Sequence, residues 1–384
     1  MNILTCAGVL DKISGYNLTP RRLSVEFKRL GHSILCLCHR KPADFLPEEN
    51  SADFLVLEAK DYFAPGSLFG AIARFHPDVI FTHNMAPTDR AGVRYAKKHR
   101  LPVFSMVHTR YRHFLLNSVP LKPLRIPAAA KYCEDRIIRF LSASTLVFAP
   151  TEDMKSYLQE VGLSRVAVAG FGADLDLFVP GPDAPPENGV VRILFVGQIR
   201  EMKNQIYLLK MSQFLPDGYH LDIVGGKTWD VFYFRRFLKE IRSRRYPKVE
   251  WHGELRPQEI GRLFARAHVF VNPSLLDAQC LAQIEALVTG LPTVRLCSER
   301  TRGVTAHLKT AMHLDERTPP REFASAVVEL MRNERLYRDL RRGALAERET
   351  YSWRNCAQRV LSYFAARGAT ALPSAEPAGI TRGS

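Results

Sequence analysis

Residues 272–292 read Asn-Pro-Ser-Leu-Leu-Asp-Ala-Gln-Cys-Leu-Ala-Gln-Ile-Glu-Ala-Leu-Val-Thr-Gly-Leu-Pro. The apolar run 268–271 before this stretch predicts a buried strand, and the helix after it is expected to end at Gly290. Two acids, Asp277 and Glu285, have seven residues between them. Such a pair can hold the hydroxyls of a polar ligand, while the helix N-terminus favours a phosphate. On spacing alone, a surface helix with two unrelated acids fits equally well.

Upstream, apolar runs of strand length alternate with segments of helical spacing. This alternation predicts a parallel, doubly wound α/β sheet. The threonine before two acids at 151–153 indicates a helix start. The predicted strands are Met1–Leu10, Ser33–Cys38, Asp78–Thr82, Pro102–Val107 and Leu146–Ala149, and the predicted helices are Pro20–Leu30, Thr88–His99 and one opening at Thr151.

A segment rich in Pro and Gly at 180–189 indicates a linker. The alternation then restarts, which predicts a second Rossmann-like half and a cleft where the carboxyl ends of the strands face each other. Its predicted strands are Val191–Val196, His220–Val224, Val249–His252 and His268–Val271, and its predicted helices are Asn204–Phe214, Val231–Arg242 and Pro257–Arg266.

Length and composition agree with two domains in 384 residues. No apolar run reaches the roughly 18 residues of a membrane span, and the N-terminus lacks the basic start of a signal peptide. The seven cysteines are scattered without metal-ligand spacing, which predicts a cytoplasmic, reduced and metal-free protein. The net charge of +15 suits nucleic acid, an anionic membrane surface or phosphorylated substrates.

The opening stretch resembles the acid-x7-acid donor-binding motif of retaining family-4 glycosyltransferases (glycosyl transferases group 1). Further motifs match that family in the same order over almost the whole chain. The resemblance implies GT-B architecture, in which two Rossmann-like domains face each other and a C-terminal helix crosses back. The implied parts are an acceptor domain at 1–179, a linker at 180–190, a nucleotide-sugar domain at 191–350, the returning helix at 351–368 and a disordered tail at 369–384.

The loop 197–204 resembles the family's phosphate-binding loop. Gly197 ends the strand and Lys203 falls on the family lysine. Gln198 stands where the family has an arginine, and Arg200 on the same loop is the candidate substitute. Fixed cations at this place would stabilise the diphosphate as the glycosidic bond breaks.

The resemblance also assigns the other site residues. Glu285 would bind the donor ribose and Asp277 the sugar hydroxyls, with Leu281 as a further donor contact. Asp277 is one methylene shorter than the usual glutamate, and Cys280 replaces a glycine. Leu255 corresponds to a nucleotide-base contact.

In the N-terminal half, Gly15 resembles the family's glycine loop, and His108 resembles the histidine that reaches the transferred sugar. His113, five residues on, is a weaker candidate. Gly172, in the motif 170–178 before the linker, is expected to supply a positive φ. Tyr351-Ser-Trp353 resembles the family's start of the final helix.

The resulting expectation is a metal-independent, retaining transferase with a UDP- or GDP-linked sugar donor and a glycan, lipid-linked or other hydroxyl acceptor. No further cofactor is expected. The alternatives are a nucleotide- or glycan-binding GT-B protein with weak or no activity, and a sugar-nucleotide epimerase or phosphorylase on the same frame. Nucleic acid is not an expected partner, because no aromatic RNA-binding motif accompanies the charge.

Two basic aromatic segments, 232–246 and 110–139, have cations around apolar residues. Segments of this kind can rest on anionic lipid, which would place the enzyme at the cytoplasmic face of a membrane. A core helix with a solvated basic face is the alternative, and it fits the first segment at least as well. For the second segment, contact with a membrane or an anionic acceptor is favoured.

Overall fold

The computed structural model describes residues 1–8, 15–39, 53–56, 66–83, 85–118, 126–186, 189–228, 230–277, 280–298, 301, 303 and 305–366. The predicted disordered tail 369–384 lies outside these residues, as does the loop 9–14 that precedes Gly15.

The first half of the chain forms a seven-stranded parallel sheet in the order β3-β2-β1-β4-β5-β6-β7. Its strands are β1 (Asn2–Cys6), β2 (Ser33–Cys38), β3 (Asp53–Val56), β4 (Val79–Thr82), β5 (Val103–Met106), β6 (Leu146–Ala149) and β7 (Val166–Val168). The helices between them are α1 (Gly15–Arg29), α2 (Gly66–Phe75), α3 (Pro87–His99), α4 (Tyr111–Ser118), α5 (Pro127–Leu141) and α6 (Glu152–Glu160).

The second half forms a six-stranded parallel sheet in the order β10-β9-β8-β11-β12-β13. Its strands are β8 (Val191–Val196), β9 (Tyr219–Val224), β10 (Val249–Trp251), β11 (Val269–Asn272), β12 (Thr293–Cys297) and β13 (Ala311–Asp315). Its helices are α7 (Gln205–Ser212), α8 (Val231–Arg242), α9 (Pro257–Phe264), α10 (Leu281–Val288), α11 (Pro320–Arg332) and α12 (Glu334–Ala346), followed by α13 (Trp353–Ala365).

The two parallel sheets confirm the predicted α/β class, and the expected strands β2, β6 and β8 and helix α8 have the predicted bounds. The start of α1 was predicted wrongly. Helical spacing predicted a helix over Pro20–Leu30. The helix instead begins at Gly15 and contains Pro20. The elements that were not predicted are the strands β3, β7 and β13 and the helices α2, α4, α5, α11 and α12.

Helix α13 crosses back onto the N-terminal sheet. Its Phe364 is fully buried, with ring centroids 4.6 Å from Phe104 and 5.3 Å from Phe81. The helix begins as predicted after Ser352, whose side chain accepts a hydrogen bond from the Asn355 N–H. The N-terminal core is therefore completed by the last helix of the described chain.

The loop that receives α13 corrects the expectation for Gly172. The positive φ in this loop belongs to Gly170, at 74°. Gly172 is needed for a different reason, because a Cβ there would lie 2.5 Å from the backbone nitrogen of Trp353. The glycine thus permits a close approach of two backbones.

The described linker residues, 180–186 and 189–190, form neither helix nor strand. Two arginines hold the chain around them. Arg341 of α12 donates to the Gly181 carbonyl at 2.9 Å. Arg348 donates to the carbonyls of Leu175 and Phe178, each at 2.7 Å, and to that of Val288. These bonds attach the linker to the C-terminal domain.

Replacing Phe364 by Ala should destabilise the N-terminal domain by about 3–5 kcal/mol, the usual cost of removing a buried phenylalanine. Chemical denaturation followed by tryptophan and far-UV signals would measure it. Gln358→Ala, an exposed position on the same helix, is the control and should change stability little. Equal effects of the two substitutions would contradict the packing role of Phe364.

Candidate active site

The loop after β8 carries the predicted phosphate-binding residues. A short helical turn, Glu201–Lys203, follows Arg200, and Asn204 then adopts a left-handed conformation with φ of 57°. Gln205 is fully buried and holds the loop from inside. Its side-chain amide donates to the Gln198 carbonyl at 2.8 Å, and its side-chain oxygen accepts from the Arg200 N–H at 3.4 Å. Sequence reasoning did not identify Gln205.

The loop after β11 is attached to the first loop. The Asn272 side-chain oxygen accepts from the backbone N–H of Ser274 at 3.1 Å and from its hydroxyl at 2.6 Å, which forms a turn at the end of β11. The Leu275 N–H then donates to the Met202 carbonyl at 2.9 Å. Backbone bonding therefore brings Lys203 and Asp277 to the same point, although they are 74 residues apart.

Lys203 and Asp277 form a short, largely buried ion pair. The Lys203 Nζ lies 2.7 Å from Asp277 Oδ2, and the two side chains are 16% and 13% exposed. Burial alone would lower the pKa of Lys203, but the nearby Asp277 and Cys280 raise it above its usual value. Lys203 is therefore a permanent cation at neutral pH.

Cys280, which stands in place of the family glycine, lies beside this pair. Its Sγ is 3.6 Å from Lys203 Nζ. Burial, reinforced by Asp277, raises the pKa of the Cys280 thiol to about 11. The thiol is neutral at physiological pH and occupies space beside the lysine without neutralising its charge.

Arg200 is the second cation of the loop. It is 9% exposed, and its guanidinium packs over the Phe114 ring of α4, 5.5 Å from the centroid. Burial lowers the pKa of Arg200, while Asp230 and Asp277 act in the opposite direction. This contact brings the loop after β8 against the N-terminal domain.

Glu285 is the fifth residue of α10, just past its first turn, and is half-buried. Burial raises the pKa of its carboxyl to about 8, and Arg22 of α1 opposes this shift. The carboxyl of Glu285 in the C-terminal domain thus interacts electrostatically with Arg22 of the N-terminal domain. Of the predicted pair, Asp277 lies four residues before α10 and Glu285 lies within the helix.

The remaining predicted donor contacts lie around these loops. Gly197 donates its N–H to the Val224 carbonyl at 2.9 Å, and Gln198 is half-buried. Leu255, after β10, and Leu281, the first residue of α10, are half-buried and pack against the large core cluster. Gly15 starts α1, and nothing further is described of the loop before it.

His108 follows β5, as predicted, and has a partner that sequence reasoning missed. His83 follows the adjacent strand β4, and its Nδ1 lies 3.3 Å from His108 Nε2. Burial lowers the pKa of both imidazoles, that of His108 to about 3. Thr82-His83 ends a predicted strand just as Val107-His108 does, so the same argument from sequence could have found it.

A group that could hold a metal ion lies elsewhere. Among the described residues, one ligand atom from each of His220, Asp222 and Glu250 lies within 4.8 Å of the others. These residues are on β9 and β10 rather than in the loops at the carboxyl ends of the strands. His252 Nε2 and Asp222 Oδ1 are 2.7 Å apart.

This architecture is shared with known two-domain glycosyltransferases. Sucrose-phosphate synthase from Thermosynechococcus elongatus superposes with a TM-score of 0.75 at 16% identity, over 96% of this chain and 100% of that one. HepE from Anabaena in complex with UDP-glucose gives 0.74 at 16% identity, over 95% and 100%. The fold class is therefore GT-B.

Sequence comparison identifies the family. Residues 190–333 match the model of glycosyl transferases group 1, and residues 13–177 match that of glycosyltransferase family 4. The chain belongs to this family of GT-B glycosyltransferases.

Two curated relatives match this chain at 24% and 22% sequence identity. The D-inositol 3-phosphate glycosyltransferase of Corynebacterium urealyticum is 24% identical over 66% of this chain, and this chain spans 63% of that protein, just under two thirds. The GDP-mannose-dependent alpha-mannosyltransferase of Mycolicibacterium smegmatis is 22% identical over 85% of this chain and 88% of that one.

The raised pKa of Glu285 makes stability depend on pH. Between the usual carboxyl pKa of 4.5 and about 8 the folded state keeps a proton that the unfolded state has lost, so stability should fall as pH rises. Thermal midpoints from pH 5 to 8.5 would measure this slope. Glu285→Gln should flatten it, whereas the exposed Glu329→Gln should not. An unchanged slope in Glu285→Gln would contradict the burial of an uncharged carboxyl.

Proposed function

We propose that this protein is a retaining glycosyltransferase that moves a sugar from a nucleotide-sugar donor to a hydroxyl acceptor. The observation that carries the proposal is the junction of two loops, where Lys203 and Asp277 meet at 2.7 Å beside the start of α10. Glu285, the fifth residue of that helix, adds a second acid to the proposed site. Family membership supports the same assignment.

In the proposed donor site, each side chain contributes either a charge or a hydrogen bond. The diphosphate binds Lys203 and Arg200, whose two positive charges neutralise the leaving group without a metal ion. Asp277 accepts hydrogen bonds from the sugar hydroxyls, and Glu285 accepts them from the ribose. Because Lys203 is paired with Asp277, donor binding exchanges part of that ion pair for a phosphate contact.

Transfer is proposed to proceed on one face of the sugar. The acceptor oxygen bonds to the anomeric carbon on the side from which the diphosphate leaves, and the acceptor proton passes to the departing phosphate oxygen. The proposal assigns no protein nucleophile, so the protein contributes position and fixed charge. His108 contributes a hydrogen bond from the N-terminal domain to the transferred sugar.

The donor is proposed to be a UDP- or GDP-linked sugar. HepE was crystallised with UDP-glucose, and one relative is named for its use of GDP-mannose. The acceptor class is proposed as a glycan, a lipid-linked sugar or another hydroxyl compound. The name of the D-inositol 3-phosphate glycosyltransferases adds phosphorylated polyols to that class.

A nucleotide-binding protein with weak activity is the second candidate. It is favoured by the neutral Gln198 in the arginine position and by Cys280, whose sulfur lies 3.6 Å from Lys203 Nζ. On this alternative the nucleotide would bind and the sugar would not be transferred.

A nucleotide panel tests the donor site. UDP, GDP, ADP and their sugars are added to the wild type, and at least one should raise the thermal midpoint, since a ligand of the folded state stabilises it. Glu285→Ala should remove most of this shift. The donor-site assignment fails if no nucleotide raises the midpoint, and the ribose role fails if Glu285→Ala responds like the wild type.

Turnover separates the two candidates. With the donor found in the panel and a mixture of sugar and polyol acceptors, Lys203→Ala should lower kcat/KM by about 10²-fold or more, the usual cost of losing one charge-stabilising group. The exposed Lys210→Ala is the matched control. Nucleotide binding with no transfer to any acceptor would favour the weakly active alternative.

We further propose that α8 binds an anionic membrane surface. No helix among the described residues is long and apolar enough to cross a membrane. One face of α8 is exposed and cationic, and Phe232 at its end is 57% exposed. The opposite face packs on the core through Phe237. The cationic face consists of Arg235, Arg236, Lys239 and Arg242.

The other basic segment, 110–139, gives less support to membrane binding. Arg110 packs over the Tyr157 ring, 5.0 Å from its centroid, and the Arg112 N–H donates to Glu134. On α5, Lys131 is paired with Asp135. Residues 119–125 of this segment lie outside the described residues.

Vesicle co-sedimentation tests the α8 surface. Each cation near an anionic bilayer contributes about 1 kcal/mol, so changing the four cations of α8 to Gln should weaken binding to phosphatidylglycerol vesicles at least tenfold at low salt. The control changes four cations on and beside α12 (Arg332, Arg335, Arg338 and Arg342) to Gln, with the same loss of charge. Equal weakening in both variants would attribute binding to net charge alone.

A further inference from the structure

The two strands at one edge of the C-terminal sheet carry polar side chains that the proposed donor site does not use. Strand β9 contains His220-Leu-Asp222, and Glu250-Trp-His252 includes the end of β10. Side chains two residues apart in a strand point to the same face. Glu250 is paired with Asp222 in the parallel register. The sheet therefore brings these side chains together on one face.

Three of these side chains each direct one ligand atom to a common point. His220 Nε2 lies 3.5 Å from Asp222 Oδ1 and 3.5 Å from Glu250 Oε2. Hydrogen bonds from nitrogen to oxygen are usually about 2.7–3.2 Å long. Although it is buried, His220 Nε2 forms no hydrogen bond among the described residues. Two ligand atoms held at about 2.1 Å by one tetrahedral ion are about 3.4 Å apart. The observed separations fit ligands of a metal ion better than hydrogen-bond partners.

His252 has a different relation to the group. Its Nε2 lies 2.7 Å from Asp222 Oδ1, which is too short for two ligands of one tetrahedral ion. A carboxylate oxygen only accepts, so this nitrogen carries a proton and donates it to Asp222. Hydrogen bonds of this kind orient the carboxylate ligands of metal sites. His252 is therefore placed to hold Asp222 rather than to bind the ion.

Burial and charge at this group suit a divalent cation. The Asp222 side chain is 4% exposed and the Glu250 side chain 59% exposed, so solvent reaches the group from the Glu250 side. Arg192 of β8 offsets part of the negative charge, but its Nη1 contacts the other oxygen, Asp222 Oδ2, at 3.6 Å. Two carboxylates and one guanidinium leave the group negative when its imidazoles are neutral.

We propose that His220, Asp222 and Glu250 bind a divalent transition-metal ion. Zn²⁺ is the ion assigned, because it takes imidazole and carboxylate ligands at tetrahedral spacing and accepts water in a fourth position. The expectation of a metal-free protein, which came from the spacing of the cysteines, is thereby revised for the C-terminal domain. The site lies on the sheet, and its existence does not depend on sugar transfer.

The ion would stabilise the edge of the C-terminal sheet. Strand β10 has only three residues and is the outermost strand, bonded to β9 alone in the sheet order. Short edge strands with exposed backbone open more easily than central ones. An ion shared by Glu250 of β10 and two side chains of β9 would join the strands through side chains as well as through the backbone.

Cobalt spectroscopy tests the site directly, because Co²⁺ accepts tetrahedral zinc ligands and then absorbs visible light. The untagged full-length protein, stripped of metal with EDTA, is titrated with Co²⁺ at neutral pH, and Zn²⁺ is then added as competitor. The wild type should develop the bands of tetrahedral cobalt, and Zn²⁺ should remove them. His220→Gln and Glu250→Gln should each weaken binding at least tenfold.

A histidine pair elsewhere in the same domain provides the matched control. The rings of His307 and His313 have centroids 5.5 Å apart. His307→Gln should bind Co²⁺ and Zn²⁺ like the wild type. Loss of binding in this variant would assign the ion to that pair and overturn the proposal. The proposal also fails if the wild type gives no tetrahedral cobalt spectrum, or if Glu250→Gln binds Zn²⁺ as tightly as the wild type.

Hydrogen exchange tests where the ion acts. Zn²⁺ at 100 times its Kd should slow the exchange of β10 amides by up to about 100-fold, since opening of the strand releases the ion. Glu250→Gln is the control and should show no slowing. Because Glu250 is exposed, this variant should keep the metal-free thermal midpoint of the wild type. Unchanged β10 exchange in wild-type protein saturated with Zn²⁺ would refute the role of the ion in holding the edge strand.

Discussion

The ion pair between Lys203 and Asp277 is the interaction on which the site depends. Two opposite charges that are mostly buried lose favourable hydration. Their attraction offsets this loss only when the two groups are close together and firmly held. Here the 2.7 Å contact joins the loops after β8 and β11. The hydrogen bond from the Leu275 N–H to the Met202 carbonyl holds the two loops together next to this ion pair. An anion that binds here would therefore meet a cation that is already in place. Its binding would weaken the Lys203–Asp277 contact but would not require a loop to become ordered.

The rest of the fold keeps this pair opposite the N-terminal domain. Helix α13 completes the N-terminal core through Phe364 although it follows the C-terminal domain in sequence. Arg341 and Arg348 hold the linker and the chain leading into it against the C-terminal domain. The two domains are thus connected at the linker and again at α13. Two connections restrict how the domains can move apart, and Arg200 of the second domain also contacts Phe114 of the first.

Much of this could be predicted from sequence because local rules were sufficient. Alternating strand and helix patterns gave both sheets, and the acid spacing around α10 located Asp277 and Glu285. The resemblance identified Lys203 and His108. What was missed depends on tertiary structure. In the sequence Gln205 is an ordinary glutamine at a helix start, and only the structure shows that its amide bonds to Gln198 in the loop after β8. Gly172 was assigned a backbone angle when its actual constraint is the approach of Trp353, 181 residues later in the chain.

The same limit applies to the histidines. Sequence indicates that a histidine follows each of two strands, but only the parallel pairing of β4 with β5 brings them to the same sheet edge. Once adjacent, each ring restricts the proton of the other, because only one of the two facing nitrogens can carry it. The C-terminal domain supplies fixed charge to the proposed donor site. The N-terminal domain contributes two adjacent imidazoles whose pKa values are lowered by burial, so they add no further charge there at neutral pH.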